Sequence, residues 1–164
     1  MKTSRQLLAR HVLDAIITPA LNAVGFGGRA ACELILGTGI QESRLIYRKQ
    51  NGGPALGLFQ MEPATFNDIW NGYVVKHPQV LRAMRTLLDG NNPTPAMLAK
   101  NDLFAAAMCR LLYRRLPFTL PDAGDIDAQA ACWKHYYNTP LGAGKVSEYL
   151  DNWRTYVDQD TFGV

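Results

Sequence analysis

Cysteine is scarce in this 164-residue chain, and the three present, Cys32, Cys109 and Cys132, are odd in number with no CxxC pair. That excludes a disulfide framework or a zinc site read from spacing, and predicts buried reduced thiols. The three histidines, His11, His77 and His135, are scattered with no His-x-x-His pair or acidic cluster beside them, so no metal and no cofactor is expected. Charge of either sign is sparse. Seventeen Lys and Arg against fourteen Asp and Glu leave +3, too weak a bias to select a polyanion as partner. No apolar run approaches the ~18 residues of a membrane span, so none is expected. Strand patterns are nearly absent, and internal repeats and low-complexity linkers are missing.

What is present is core material: 48% of the residues are hydrophobic and 19% charged, enough for one domain of this length and too little charge for a disordered chain. The basic N-terminus, with Lys2, Arg5 and Arg10, has the flank of a signal peptide but not its core. Asp14 and Pro19 interrupt the stretch, and Leu7, Leu8, Val12, Ala15 and Ile16 recur at helical spacing. An amphipathic first helix and no signal peptide are the expectation.

Helix signals dominate the remainder. Thr18-Pro19, Glu62-Pro63 and Thr94-Pro95 each mark a helix start or a kink. Further helices are predicted over about Gly28 to Ser43, Pro78 to Leu88, Asn101 to Leu116, Asp125 to Tyr137 and Gly144 to Val157. Between Leu45 and Gln60, the turn-forming Asn51-Gly52-Gly53-Pro54 predicts a small hairpin or an ordered loop. The fold class is therefore mainly α.

The helix over Gly28 to Ser43 carries two glutamates that helical geometry treats oppositely. At about 100° per residue, Glu42 falls on the stripe of Ala31, Ile35 and Thr38, while Glu33 lies about 180° away. Glu33 is expected in water and Glu42 at the inner end of the helix, partly desolvated. Desolvation raises a carboxyl pKa, which is what a general acid requires; the alternatives are pairing with Arg44 or Arg48, or a frayed, solvated end. Gly37 and Gly39 each cost up to about 1 kcal/mol in a helix interior, which suggests that something approaches that backbone closely.

Glu42-Ser43, then Gly57-Leu58-Phe59-Gln60 and Pro63-Ala64-Thr65, resembles the pattern of the soluble lytic transglycosylases, in which a catalytic Glu-Ser precedes Gly-Leu-Met-Gln and Pro-Ala-Thr. Asn101 to Leu112 is similar to an Asn-containing helix of that family. Tyr137-Asn138, followed by Gly144-Lys145-Val146 and Tyr149-Leu150, is similar to its Tyr-Asn-Ala-Gly segment. The resemblance spans roughly residues 28 to 150. Phe59 stands where the family has Met, and Thr139-Pro140 where it has Ala-Gly.

This resemblance implies a lysozyme-like helical domain cleaving peptidoglycan glycan strands, with Glu42 as acid and then base, and a 1,6-anhydro product. Ser43, Gly57, Phe59, Gln60, Tyr137 and Asn138 would then contact substrate. Gly57 would let the backbone run close to the glycan, and Ser43 would bind substrate, orient Glu42 or cap the helix. Tyr137 would aim its hydroxyl at Glu42 or serve as a core aromatic, as would Trp133 and Tyr136. Glu62, Asp68, Asp102 and Glu148 are the candidate second carboxylates of a hydrolytic muramidase, or plain capping and surface charges. Compact length is similar to phage-encoded members, implying a virion-associated enzyme with virion components as partners, or one made in the host cytoplasm to act on the cell wall. Two rivals stand beside it: a non-catalytic phage structural protein, and a nucleic-acid-binding module using Lys100, Arg110, Tyr113, Arg114 and Arg115. Helical wrapping spreads those charges over several faces.

Overall fold

The computed structural model describes residues 1–163, and it is mainly helical, without a strand among them. Helix α1 (Ser4–Val12) starts at Thr3, whose hydroxyl accepts from the Gln6 amide while the Gln6 side chain returns to the Thr3 amide, a reciprocal cap. It runs through one wide π turn (Leu13–Ile17) into α2 (Thr18–Ala23), so Thr18-Pro19 follows a distortion in a continuous rod instead of opening a new helix. Helix α3 (Arg29–Ser43) follows, then an irregular segment to Met61. Next come α4 (Pro63–Gly72), a 3-10 turn (Val74–Lys76), α5 (Pro78–Leu88), the short α6 (Met97–Lys100) and α7 (Asp102–Arg114). The chain ends in α8 (Ile126–Cys132), a second wide π turn (Trp133–Asn138) and α9 (Val146–Tyr156).

Helix α3 is the central element: α1, α7, α8 and α9 all pack on it, and every residue from Ala31 to Ile40 is buried. A helix enclosed on all sides has no wet face. This overturns the expectation for Glu33, which is 1% exposed and not in water. Its carboxylate accepts from Arg29 Nε at 2.8 Å, the Gly124 amide at 2.7 Å and Gln129 Nε2 at 2.8 Å, so the burial is balanced by three donors.

The two helix glycines do admit close neighbours, and both neighbours are protein. A Cβ on Gly37 would lie 1.8 Å from the Tyr149 hydroxyl oxygen, and one on Gly39 would meet Leu45 and Phe59 at 2.8 and 3.0 Å. Gly37→Ala is therefore expected to destabilise the chain by roughly 1–3 kcal/mol through overpacking, despite its gain in helix propensity. Urea unfolding would show it. Adding Tyr149→Phe should recover part of the loss, because the hydroxyl is the nearest clashing atom and has no hydrogen-bond partner.

The three cysteines are free and buried. The basic segment is dispersed as helical wrapping requires. Arg110 is buried, donates to the Phe26 carbonyl and lies over the Phe26 ring, where Arg114 joins it; Arg115 pairs with Asp68. Among the described residues, no helix is long and apolar enough to cross a membrane.

Candidate active site

A cleft of about 460 Å³ opens where the C-terminal end of α3, the segment 45–62, the start of α4, α7 and the second wide turn converge. Glu42, Gln50, Gln60, Glu62, Thr65, Asn138 and Thr139 give it a polar lining, with Ala55, Met61, Leu112 and Tyr137 as apolar patches. A polar lining with apolar patches can meet a sugar, whose ring faces are apolar and whose edges carry hydroxyls.

Glu42 is half-buried at the end of α3, where Arg44 in the left-handed region stops the helix. Desolvation pushes its carboxyl above the usual carboxylate range, opposed by the Trp133 indole N–H and the Arg44 charge. Trp133 Nε1 donates to Glu42 Oε1 at 2.9 Å. Neither Arg44 nor Arg48 pairs with Glu42: Arg44 turns back to the carbonyls of Ile40 and Gln41, and Arg48 makes a two-pronged bridge to Asp102 at 3.0 and 2.7 Å.

The segment 45–62 is an ordered loop with isolated pairings, Lys49 with Leu56 and Leu56 with Met61. It positions the cleft wall through residues the sequence offered for other work. Ser43 is buried; its hydroxyl donates to the Leu58 carbonyl at 2.6 Å and accepts from the Leu45 amide at 3.1 Å, so it fastens the loop to α3 and neither orients Glu42 nor faces the cleft. Gly57, at φ +81°, presses against α6, where a Cβ would sit 2.3 Å from the Leu98 carbonyl oxygen. Its glycine requirement comes from that protein backbone and not from a ligand. Phe59 is buried, with its ring in the core against Gly39 and outside the cleft lining.

Gln60 does line the cleft, with its amide N–H donated to the Gly57 carbonyl at 2.9 Å. Tyr137 lines it as well, but the hydroxyl donates to the Phe59 carbonyl at 2.5 Å instead of to Glu42, while the ring stacks on Tyr113. Asn138 is held by Lys134 Nζ at 2.8 Å, and Thr139 next to it adopts φ +70°, a value that glycine takes freely and a β-branched residue does not. The departure from Ala-Gly thus places local strain at the cleft rim.

Of the candidate second carboxylates, Asp68 pairs with Arg115, Asp102 with Arg48, and Glu148 accepts from the Lys145 amide at the start of α9. Glu62 alone among the four lines the cleft; it is exposed and does not cap α4. Among the described residues, no group of three or more His, Cys, Asp or Glu is placed to hold a metal ion.

The site thus brings together Glu42, Gln60, Tyr137 and Asn138, and adds Trp133, which the sequence alone offers only as a core aromatic. Trp133 is a core aromatic, 1% exposed and outside the cleft lining, and its N–H reaches the site by donating to Glu42. Comparison of the chain with family models, with curated proteins and with solved structures finds no match in any of the three.

Proposed function

We propose that this chain cleaves the β-1,4 bond between N-acetylmuramic acid and N-acetylglucosamine in peptidoglycan strands, as a lytic transglycosylase. The observation that carries the reading is Glu42: one half-buried carboxyl with a raised pKa, in a polar cleft, on the motif that resembles the catalytic Glu-Ser of that family. In its neutral form Glu42 donates a proton to the glycosidic oxygen as the C1–O4 bond breaks. The C6 hydroxyl of the same muramic residue then closes on the anomeric carbon and returns its proton to Glu42, so no water is consumed. Gln60 and Asn138 supply polar contacts to the sugar, and the Tyr137 ring is a flat wall. A virion-associated role, or delivery from the host cytoplasm to the wall, belongs to the same resemblance.

Mass spectrometry of purified peptidoglycan digested by the chain is expected to show muropeptides ending in 1,6-anhydromuramic acid, one water lighter than hydrolysed ends and resistant to borohydride. A second reading, hydrolysis as a muramidase, is favoured by Glu62, which faces the same cleft as Glu42 and can hold a water as base. Reducing-end products alone would replace the first reading by this one. Release of no soluble fragments at all would remove both.

A further inference from the structure

We propose that Trp133 is a positioning residue for Glu42: its indole N–H engages one carboxyl oxygen and so assigns the transferable proton to the other. The inference rests on Glu42 being the acid, as read above. Trp133 Nε1 lies 2.9 Å from Glu42 Oε1, and no other hydrogen bond reaches that carboxyl among the described residues. The ring itself has little freedom. It is 1% exposed, packs at 5.5 Å on Tyr149, and abuts Gly144, where a Cβ would sit 2.5 Å from Cη2.

Indole N–H is a donor with no acceptor capacity. If the neutral acid carried its proton on Oε1, that O–H would face the N–H, donor against donor. The proton therefore resides on Oε2, the oxygen that Trp133 leaves free for the glycosidic oxygen. A carboxyl without this fixed partner has two equivalent oxygens and a free torsion, so only a fraction of its conformers deliver a proton in line. The same N–H also favours the carboxylate once the proton has left, which eases the first half of the reaction.

The other titratable and charged groups around Glu42 do not perform this task. Arg44 follows at the end of α3 and acts only through its charge, and Glu62 lines the same cleft without a hydrogen bond to Glu42. Cys109 on α7 and Tyr137 on the wide turn feel its charge, yet burial pushes both well above their ordinary values, so they stay neutral.

Trp133→Phe keeps a ring and deletes the donor. Its kcat on peptidoglycan is expected to fall roughly 10- to 100-fold with KM little changed. The alkaline limb of the kcat profile, and the midpoint of the Glu42 carboxyl resonance in carbon-13 NMR, should both move to higher pH. Tyr149→Phe, which touches the same ring without donating to Glu42, should leave both midpoints in place. A purely structural Trp133 would lower activity without moving either midpoint, and that result overturns the inference. In the wild-type chain, which needs no substitution in the core, the Trp133 indole nitrogen-15 resonance should titrate with the same midpoint as the Glu42 carboxyl and stop titrating in Glu42→Gln. An indole signal that ignores pH throughout that range also overturns it. Undiminished cleavage by Glu42→Gln would instead remove the catalytic reading while leaving the indole titration intact, so the two failures are separable.

Discussion

Glu42→Gln is expected to slow the release of soluble fragments from peptidoglycan by at least ~10²-fold and, at neutral pH, to melt above the wild-type chain. The loss follows from chemistry, because the amide keeps the shape and has no proton of suitable acidity. The gain follows from linkage. Glu42 titrates higher in the folded chain than in the unfolded one, so its ionised form is the one that folding disfavours. The wild-type chain therefore carries no deficit below the unfolded pKa, near pH 4. It loses stability as pH rises from there to the folded value, and keeps that deficit above it. The variant cannot ionise at this position, so the two melting curves should coincide at low pH and separate towards neutrality. Wild-type digestion rates in Glu42→Gln would falsify the assignment. Catalytic cleavage by the wild type should fall on the same pH interval, since the acid is spent as the carboxyl ionises.

The second glutamate of the same helix should give the opposite outcome. Glu33→Ala leaves the buried Gln129 amide without its acceptor and releases the Gly124 amide and the half-exposed Arg29 guanidinium to water, a loss of about 1–3 kcal/mol. Glu33→Gln should cost less than Glu33→Ala. The glutamine keeps one oxygen, which can still accept from the Gly124 and Gln129 amides where Glu33 Oε2 does now, so only the half-exposed Arg29 loses its partner. Fragments released per folded molecule should stay near the wild-type value in both variants. Denaturant titration together with digestion assays corrected for the folded fraction would separate the two roles. A Glu33→Ala chain as stable as wild type would show that the three donors find other acceptors.

The contrast between these residues also marks how far the sequence could be read. The Pro78 to Leu88 helix is legible to the residue, because proline at its first position and a clean amphipathic stripe are both local signals. Glu62-Pro63 opened α4 for the same reason. Azimuth on α3 placed Glu42 correctly and Glu33 wrongly, since the rule assumes one wet face and α3 has none. The signal was there in the near absence of charge from Ala30 to Ile40, where Glu33 stands alone. Ser43, Gly57 and Phe59 belong to the motif that resembles a family, yet each serves the loop's attachment to α3, α6 and the core. Adjacency in a motif does not separate a residue that touches ligand from one that holds the wall. The Trp133 to Glu42 hydrogen bond joins positions 91 residues apart, and no local pattern encodes it.

The wide turn over Trp133–Asn138 makes chain length at this point as consequential as residue identity. In an ordinary α-helix, residues five apart diverge by about 140° around the axis, so Trp133 and Asn138 would look in different directions. A π turn spaces its hydrogen bonds five residues apart and returns the fifth side chain towards the first, which lets Trp133 reach Glu42 while Asn138 lines the same cleft as that carboxyl. It is in effect a single inserted residue. A one-residue deletion here would let the segment relax to a regular helix and rotate the whole rim behind it. Relatives of this chain should therefore tolerate many substitutions between α8 and α9 while holding the spacing from Trp133 to Asn138 constant, a constraint recorded in gaps and not in letters.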